Sequence, residues 1–213
     1  MSKRYSEQVT TVSIVLLVLL ALFIGGCAFG TTRVNVTHEP LDRIENKKEG
    51  NILVKQFVDK RTDTQHIGNK RNGFGMVLGH IGAEEGVKLE VLLTNYFAEA
   101  LKEAGYNAVI QETQSASVPS QVKFDVIVDG EIVEFWLDLY MAVWHKVGVK
   151  VKALDPINQN ALWEKDIRGD EKNVLWVGAT SEYEKVIRQA LTKALNQAAK
   201  EFSSDEFYKV IKK

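Results

Sequence analysis

Between Val122 and Ile167 apolar and polar side chains alternate with a period of two, and from Ser181 to Phe202 the apolar period lengthens to about 3.6. A strand sends successive side chains to opposite faces, whereas a helix gathers positions i, i+3, i+4 and i+7 on one stripe. A chain carrying both patterns in separate blocks must bury one-sided strands against one-sided helices. That requirement predicts an α+β fold before any other residue is considered.

The blocks can be read one by one. Val122, Phe124, Val126, Val128 and Ile132 share one face of a strand over 122–135, and Gly130 inside it marks a bulge or bend. A second strand over 139–154 puts Met141, Val143, Val147, Val149 and Val151 on one face and Lys146, Lys150 and Lys152 on the other. Asp155-Pro156-Ile157-Asn158-Gln159-Asn160 reads as a hairpin connection to a return strand carrying Ala161, Trp163 and Ile167. Upstream, Ile52–Val58 is a short buried strand closed by the polar turn Asp59–Asp63, and 107–112 is another short strand. Residues 113–120, with Pro119, read as a loop.

Leu89, Leu92, Leu93, Tyr96, Phe97, Ala100 and Leu101 predict a helix over 87–104, stopped by Gly105. The stripe from Tyr183 to Phe202 predicts a second, with Ser181 and Glu184 as its capping box. A short helix from Asp205 to about Ile211 follows, with Ser203 and Glu206 as a box of its own. The order β, α, β, β, β, β, α predicts a two-layer sandwich. Its two amphipathic helices cover one face of a mostly antiparallel four- or five-stranded sheet, and the other face stays wet.

The N-terminus carries a different signal. Lys3 and Arg4 precede an apolar run from Val12 to Ile24, and Gly25, Gly26 and Cys27 follow, Cys27 being the only cysteine. A short basic region, a compact apolar stretch and small residues make a secretory signal peptide. Ile24-Gly25-Gly26-Cys27 resembles the bacterial lipobox. The resemblance implies a diacylglyceryl group on Cys27, cleavage of residues 1–26, and acylation, typically with palmitate, of the new amine. Two or three acyl chains give a stable anchor where one does not. Residue 28 is Ala rather than the Asp that retains enterobacterial lipoproteins at the inner membrane, which implies the outer membrane. The competing reading, an uncleaved membrane span, is weakened by Thr10, Thr11, Ser13 and the two glycines that dilute its ends. The expected organisation is a cleaved leader over 1–26, a lipidated N-terminus and tether over 27–49, and one periplasmic α+β domain over 50–213.

Asp59-Lys60-Arg61-Thr62-Asp63, Leu101 through Gly105-Tyr106, and a closing helix reaching Phe207 and Ile211 together resemble the YajG-type bacterial lipoproteins over nearly the whole mature chain. The resemblance implies an outer-membrane protein of the cell envelope with no enzymatic activity, and it supplies no catalytic residues. Residues 64–86 depart from the family as a longer Gly-rich insertion.

Candidate chemistry is sparse. A net charge of −1 argues against a nucleic-acid partner held by bulk positive potential. One cysteine excludes an intrachain disulfide. His38, His66, His80 and His145 form no metal-binding pair in sequence, although His66 and His80 flank the Gly-rich segment and could meet in space. His145 falls on an apolar strand face and reads as a core residue. Gly73-Phe74-Gly75 lacks the Gly-Lys-Ser/Thr that a phosphate loop needs. No metal, cofactor or catalytic residue is expected.

Two surfaces remain as partner candidates. Phe74, Met76 and Leu78 are apolar among glycines, with Lys70 and Arg71 beside them, and suit docking on a protein or on lipid headgroups. Trp136, Tyr140 and Trp144 have the even spacing of one shared strand face. The sequence therefore predicts a membrane-anchored, non-enzymatic binding or assembly module whose partner is an unidentified envelope protein or lipid. An accessory lipoprotein of envelope lipid transport is the alternative, and a periplasmic hydrolase a distant third.

Overall fold

The computed structural model describes residues 30–72, 74–111, 123–174 and 179–212. The elements run β1 (Gly30–Val34), β2 (Asn51–Val54), β3 (Val58–Asp59), β4 (Gly68–Arg71), β5 (Val77–Ala83), α1 (Leu89–Glu103), β6 (Asn107–Ile110), β7 (Val126–Tyr140), β8 (Ala142–Leu154), β9 (Ala161–Asn173), α2 (Thr180–Phe202) and α3 (Asp205–Ile211). The fold is α+β, with three helices among the described residues.

The sheet is larger than the four or five strands expected, and it is mixed rather than mostly antiparallel. All nine described strands join one open sheet. β7 is its spine. On one side β8 pairs with it antiparallel, and β9 continues the meander that the alternation predicted. On the other side three short strands line up in tandem, all parallel to β7: β2 at Val126–Val128, β3 at Glu131–Ile132 and β4 at Leu137–Leu139. β6 adds parallel to β2, β5 antiparallel to β4, and β1 parallel to β5. Several of these extra strands have only two to five residues and little apolar content, too short for periodicity to reveal.

Gly130 is not the bulge. The register of β7 against β8 slips between Ile132 and Glu134 instead. Up to Ile132 the even residues Val126, Val128 and Ile132 are buried; beyond the slip the odd residues Phe135 and Leu137 are. A bulge inserts one residue, so it exchanges the two faces of everything that follows. Gly130 has another purpose. A Cβ there would lie 2.6 Å from the Phe57 ring, which crosses the strand at that point.

Two capping predictions need correction. α2 begins one residue before Ser181 with Ala179 as its cap, and no side chain caps it, so the Ser181/Glu184 box does not form. α3 is capped by Ser204 rather than Ser203; the Ser204 hydroxyl accepts from Phe207 N–H. The Gly105 stop is as expected. Gly105 has φ 106°, Gly105 N–H donates to Lys102 O and Tyr106 N–H to Leu101 O, which closes α1 in a Schellman turn.

Both long helices press their apolar stripes onto the sheet and onto each other, and their buried residues form one continuous core with β2, β7, β8 and β9. Gly169 of β9 permits the closest approach: a Cβ there would meet Ala190 O of α2 at 2.2 Å.

Residues 30–44, expected as part of a tether, are packed into the fold. Val34 and Val36 are buried, and Leu41 and Ile44 lean on the core. The segment runs along both helices. Asn35 N–H donates to Glu184 of α2, Glu39 N–H to Thr192 and Asp42 N–H to Asn196, while Tyr96 of α1 donates its hydroxyl to Val36 O. Such side-chain anchors replace the ladder bonds that extended backbone otherwise needs.

Candidate functional site: the apolar end of the sheet

Cys27 and the lipobox residues Ile24, Gly25 and Gly26 lie outside the described residues, which start at Gly30, the first residue of β1. The ladders show where that start falls. Gly30 pairs with Gly79, Gly79 with Lys70, Lys70 with Leu139, Leu139 with Val143, and Val143 with Asn173. One row of paired residues therefore crosses six strands. Beyond it, on the same end of the sheet, lie the β4–β5 turn, the β7–β8 turn and the exit of β9, and β1 starts in the row itself at Gly30.

That end is apolar and exposed. Phe74 is 90% exposed, Met141 79%, Met76 60%, Val174 59% and Val77 44%. These are five of the nine large apolar side chains exposed among the described residues, so the clustering is not an even scatter. Leu78, also expected here, is half-buried. Sequence reading missed Met141, which it placed on the face of a strand. Met141 instead makes the β7–β8 turn with φ 56°, a left-handed conformation that costs a non-glycine residue about 1 kcal/mol. Nothing in Tyr140-Met141-Ala142 signals a turn.

The Gly-rich segment forms an irregular hairpin whose tip is tied down. Asn72 Oδ1 accepts from Phe74 N–H and Met76 N–H, and Gly75 N–H returns to Asn72 O. Arg71 donates to Asp138 Oδ1 at 2.9 Å and to Gly75 O at 3.1 Å, which fixes the tip to β7. Lys70 is buried, with Nζ on Thr32 Oγ1 at 2.9 Å. Both cations expected to meet headgroups are thus engaged inside the protein.

Trp136, Tyr140 and Trp144 do share a face, the outer one, and all three are half-buried. The bulge puts Trp136 there, and the register carries it across: Trp136 pairs with Lys146 and Asp138 with Trp144. A shallow groove of about 430 Å³ runs beside Trp144, between Lys146, Asp170 and Lys172.

A larger open groove, about 740 Å³, lies where β3 hands over to β4 and includes Phe57 and Leu89 in its wall. Arg33, Asp59, Arg61, Glu84, Glu85 and Glu90 line it beside these apolar side chains. Arg61 and Asp59 form a buried ion pair at 2.7 Å, and the second Arg61 amino group donates to His66 O and Phe135 O. The Asp-x-Arg turn therefore clamps β3, the following loop and β7 together.

His66 and His80 do meet, with rings stacked 4.1 Å apart, and their Nδ1 atoms face Asp63 and Asn69. His145 is fully buried, its ring edge-on to Phe135 and the Trp136 backbone beside it too poorly aligned for a full hydrogen bond. Burial pushes its pKa down to about 3, the Arg61 charge adds to the effect, and the Trp136 backbone opposes it. Among the described residues, no three His, Cys, Asp or Glu side chains are grouped to hold a metal ion. No described helix is long and apolar enough to cross a membrane.

No family model and no curated protein matches the chain. Solved structures do. The chain is similar to protein XCC0632 from Xanthomonas campestris, described by the family model DUF330, with a TM-score of 0.53 at 16% identity over 80% of this chain and 91% of that one. It is also similar to lipoprotein GNA1162 from Neisseria meningitidis, with a TM-score of 0.40 at 16% identity over 71% and 99% of the two chains. A PelC dodecamer from Paraburkholderia phytofirmans gives a TM-score of 0.39 at 13% identity over 75% and 94%. The likeness to XCC0632 is one of fold alone.

Proposed function

We propose that this chain is a lipoprotein of the bacterial cell envelope, anchored through acylated Cys27, facing the periplasm from the outer membrane, and acting as a non-enzymatic binding or assembly module. The observation that carries this reading is Ile24-Gly25-Gly26-Cys27 at the end of a compact apolar leader, only three residues ahead of the first strand. The resemblance to the YajG-type lipoproteins supports it. The outer-face aromatics Trp136 and Trp144 are the proposed protein contact, since tryptophan is among the residues enriched at the anchors of protein interfaces.

Anchoring raises the effective concentration of the domain for any partner in the same membrane. Mass spectrometry of the mature N-terminus should find acyl groups on Cys27, and Cys27→Ser should move the protein to the soluble fraction. A Cys27→Ser variant that still fractionates with acylated membrane proteins refutes the reading. A photo-crosslinking residue at position 144 in intact cells should recover an envelope protein, and Trp136→Ala should weaken that capture.

A further inference from the structure

We propose that in the acylated protein the end of the sheet bearing Phe74, Met76, Val77, Met141 and Val174 rests in the bilayer interface, so that lipid and protein make one continuous membrane contact. The inference rests on the acylation of Cys27 proposed above and adds an orientation to it.

Chain length carries the argument. Gly30 belongs to the row of paired residues that borders the apolar end. Cys27 is three residues before it, and three residues span at most about 11 Å. The acylated cysteine is therefore held within that distance of the row, and the apolar side chains cannot be lifted far from the membrane surface. Side chains of an interfacial element sink about 5–10 Å into the headgroup and acyl boundary, a depth comparable to this reach. The row is five strand spacings wide, roughly 24 Å, and exposed apolar groups stand along it from Val77 beside β1 to Val174 beside β9. One lipid attachment at a corner leaves a domain free to tilt; contacts spread over this width remove that freedom.

The opposite end of the sheet is different in character. There the exposed side chains include Glu84, Glu85, Asn158 and Asn160, with Ile157 at the β8–β9 turn. Lys70 and Arg71 are bound to Thr32 and Asp138, which leaves Lys172 beside Val174 as the exposed cation nearest the row, so the contact is mainly apolar and should depend little on anionic lipid.

Acylation consumes the only native thiol, so a cysteine introduced elsewhere can be labelled uniquely. Full-length acylated Phe74→Cys, Met141→Cys, Val174→Cys and Ile157→Cys would each carry a nitrobenzoxadiazole dye. Each would be reconstituted into phosphatidylethanolamine vesicles, with and without phosphatidylglycerol, containing lipid spin-labelled on its acyl chains. Dyes at 74, 141 and 174 should shift to the blue and be quenched at least about twofold, equally in both compositions, while the dye at 157 should show neither effect. Mass spectrometry of each sample separates the two claims. Acylated protein whose dyes at 74 and 141 stay as wet as that at 157 overturns the orientation and leaves the lipoprotein reading standing. Shielding without spin-label quenching means a second protein chain covers the tips, and also overturns it. A free Cys27 thiol overturns both.

Discussion

His145 is a neutral base sealed in a core of Phe135 and Arg61, and its cost appears only when protons become available. In the folded protein its pKa is about 3; in the unfolded chain it returns to roughly 6.5. Below pH 6.5 the unfolded state therefore binds a proton that the native state refuses. The stability contributed by this residue is complete above pH 6.5 and falls as pH drops toward 3, by up to about 1.4 kcal/mol per pH unit. Urea unfolding at pH 7 and pH 5 should show a loss near 2 kcal/mol from this residue, and His145→Leu should abolish that share of the pH dependence. At pH 7 the same substitution should be neutral or stabilising, because it removes a buried imidazole whose desolvation is poorly compensated by hydrogen bonds. Position on the apolar face of a strand made the burial of His145 legible. The neighbour that matters, Arg61, was not, because the Asp59–Arg61 clamp reaches β8 only through the tandem pairing along β7. Among the exposed residues, Phe74 and Met76 were legible as apolar side chains among glycines. Met141 was hidden by a turn with no glycine, proline or asparagine to announce it.

At the scale of elements, contact between α2 and β9 depends on one missing side chain. Gly169 faces Ala190 and Ala194, and any Cβ must push the helix backbone away. Gly169→Val should cost about 3 kcal/mol or more and lower the urea midpoint at unchanged slope. The sequence shows the stripe of small residues on α2 but not their counterpart. Helix stripes and the β7–β9 alternation are long enough for their periods to emerge. Strands such as β1, β3 and β4 take their conformation from the edge they join: Gly-Asn-Lys-Arg has little strand character of its own, and Gly-Thr-Thr-Arg-Val, though rich in β-branched residues, is too short to show a period. Parallel pairing is equally hidden, since it depends on which edge of β7 stays open after β8 has taken the other.

For the whole molecule, the largest departure from sequence expectation is the role of residues 30–44. A tether can be shortened freely; a packed segment cannot. Removing residues 35–44 exposes the sites of Val36, Leu41 and Ile44 on the helices and should cost at least about 3 kcal/mol, read as a lowered thermal midpoint by circular dichroism. A neutral deletion would restore the tether reading. The polar, charge-rich composition of 28–49 concealed this because the segment is held largely through its backbone, by side chains that belong to α1 and α2.

That arrangement sets a schedule. Backbone donors at residues 35, 39 and 42 wait for Glu184, Thr192 and Asn196, which are made some 150 positions later. β1 itself has no ladder until β5 exists, and the sheet beneath α2 is complete only with β9. Closure of the N-terminal segment is thus deferred until nearly the entire polypeptide has been synthesised. In a chain threaded through a translocation channel such a delay leaves residues 30–44 without their partners while the remainder is still in transit.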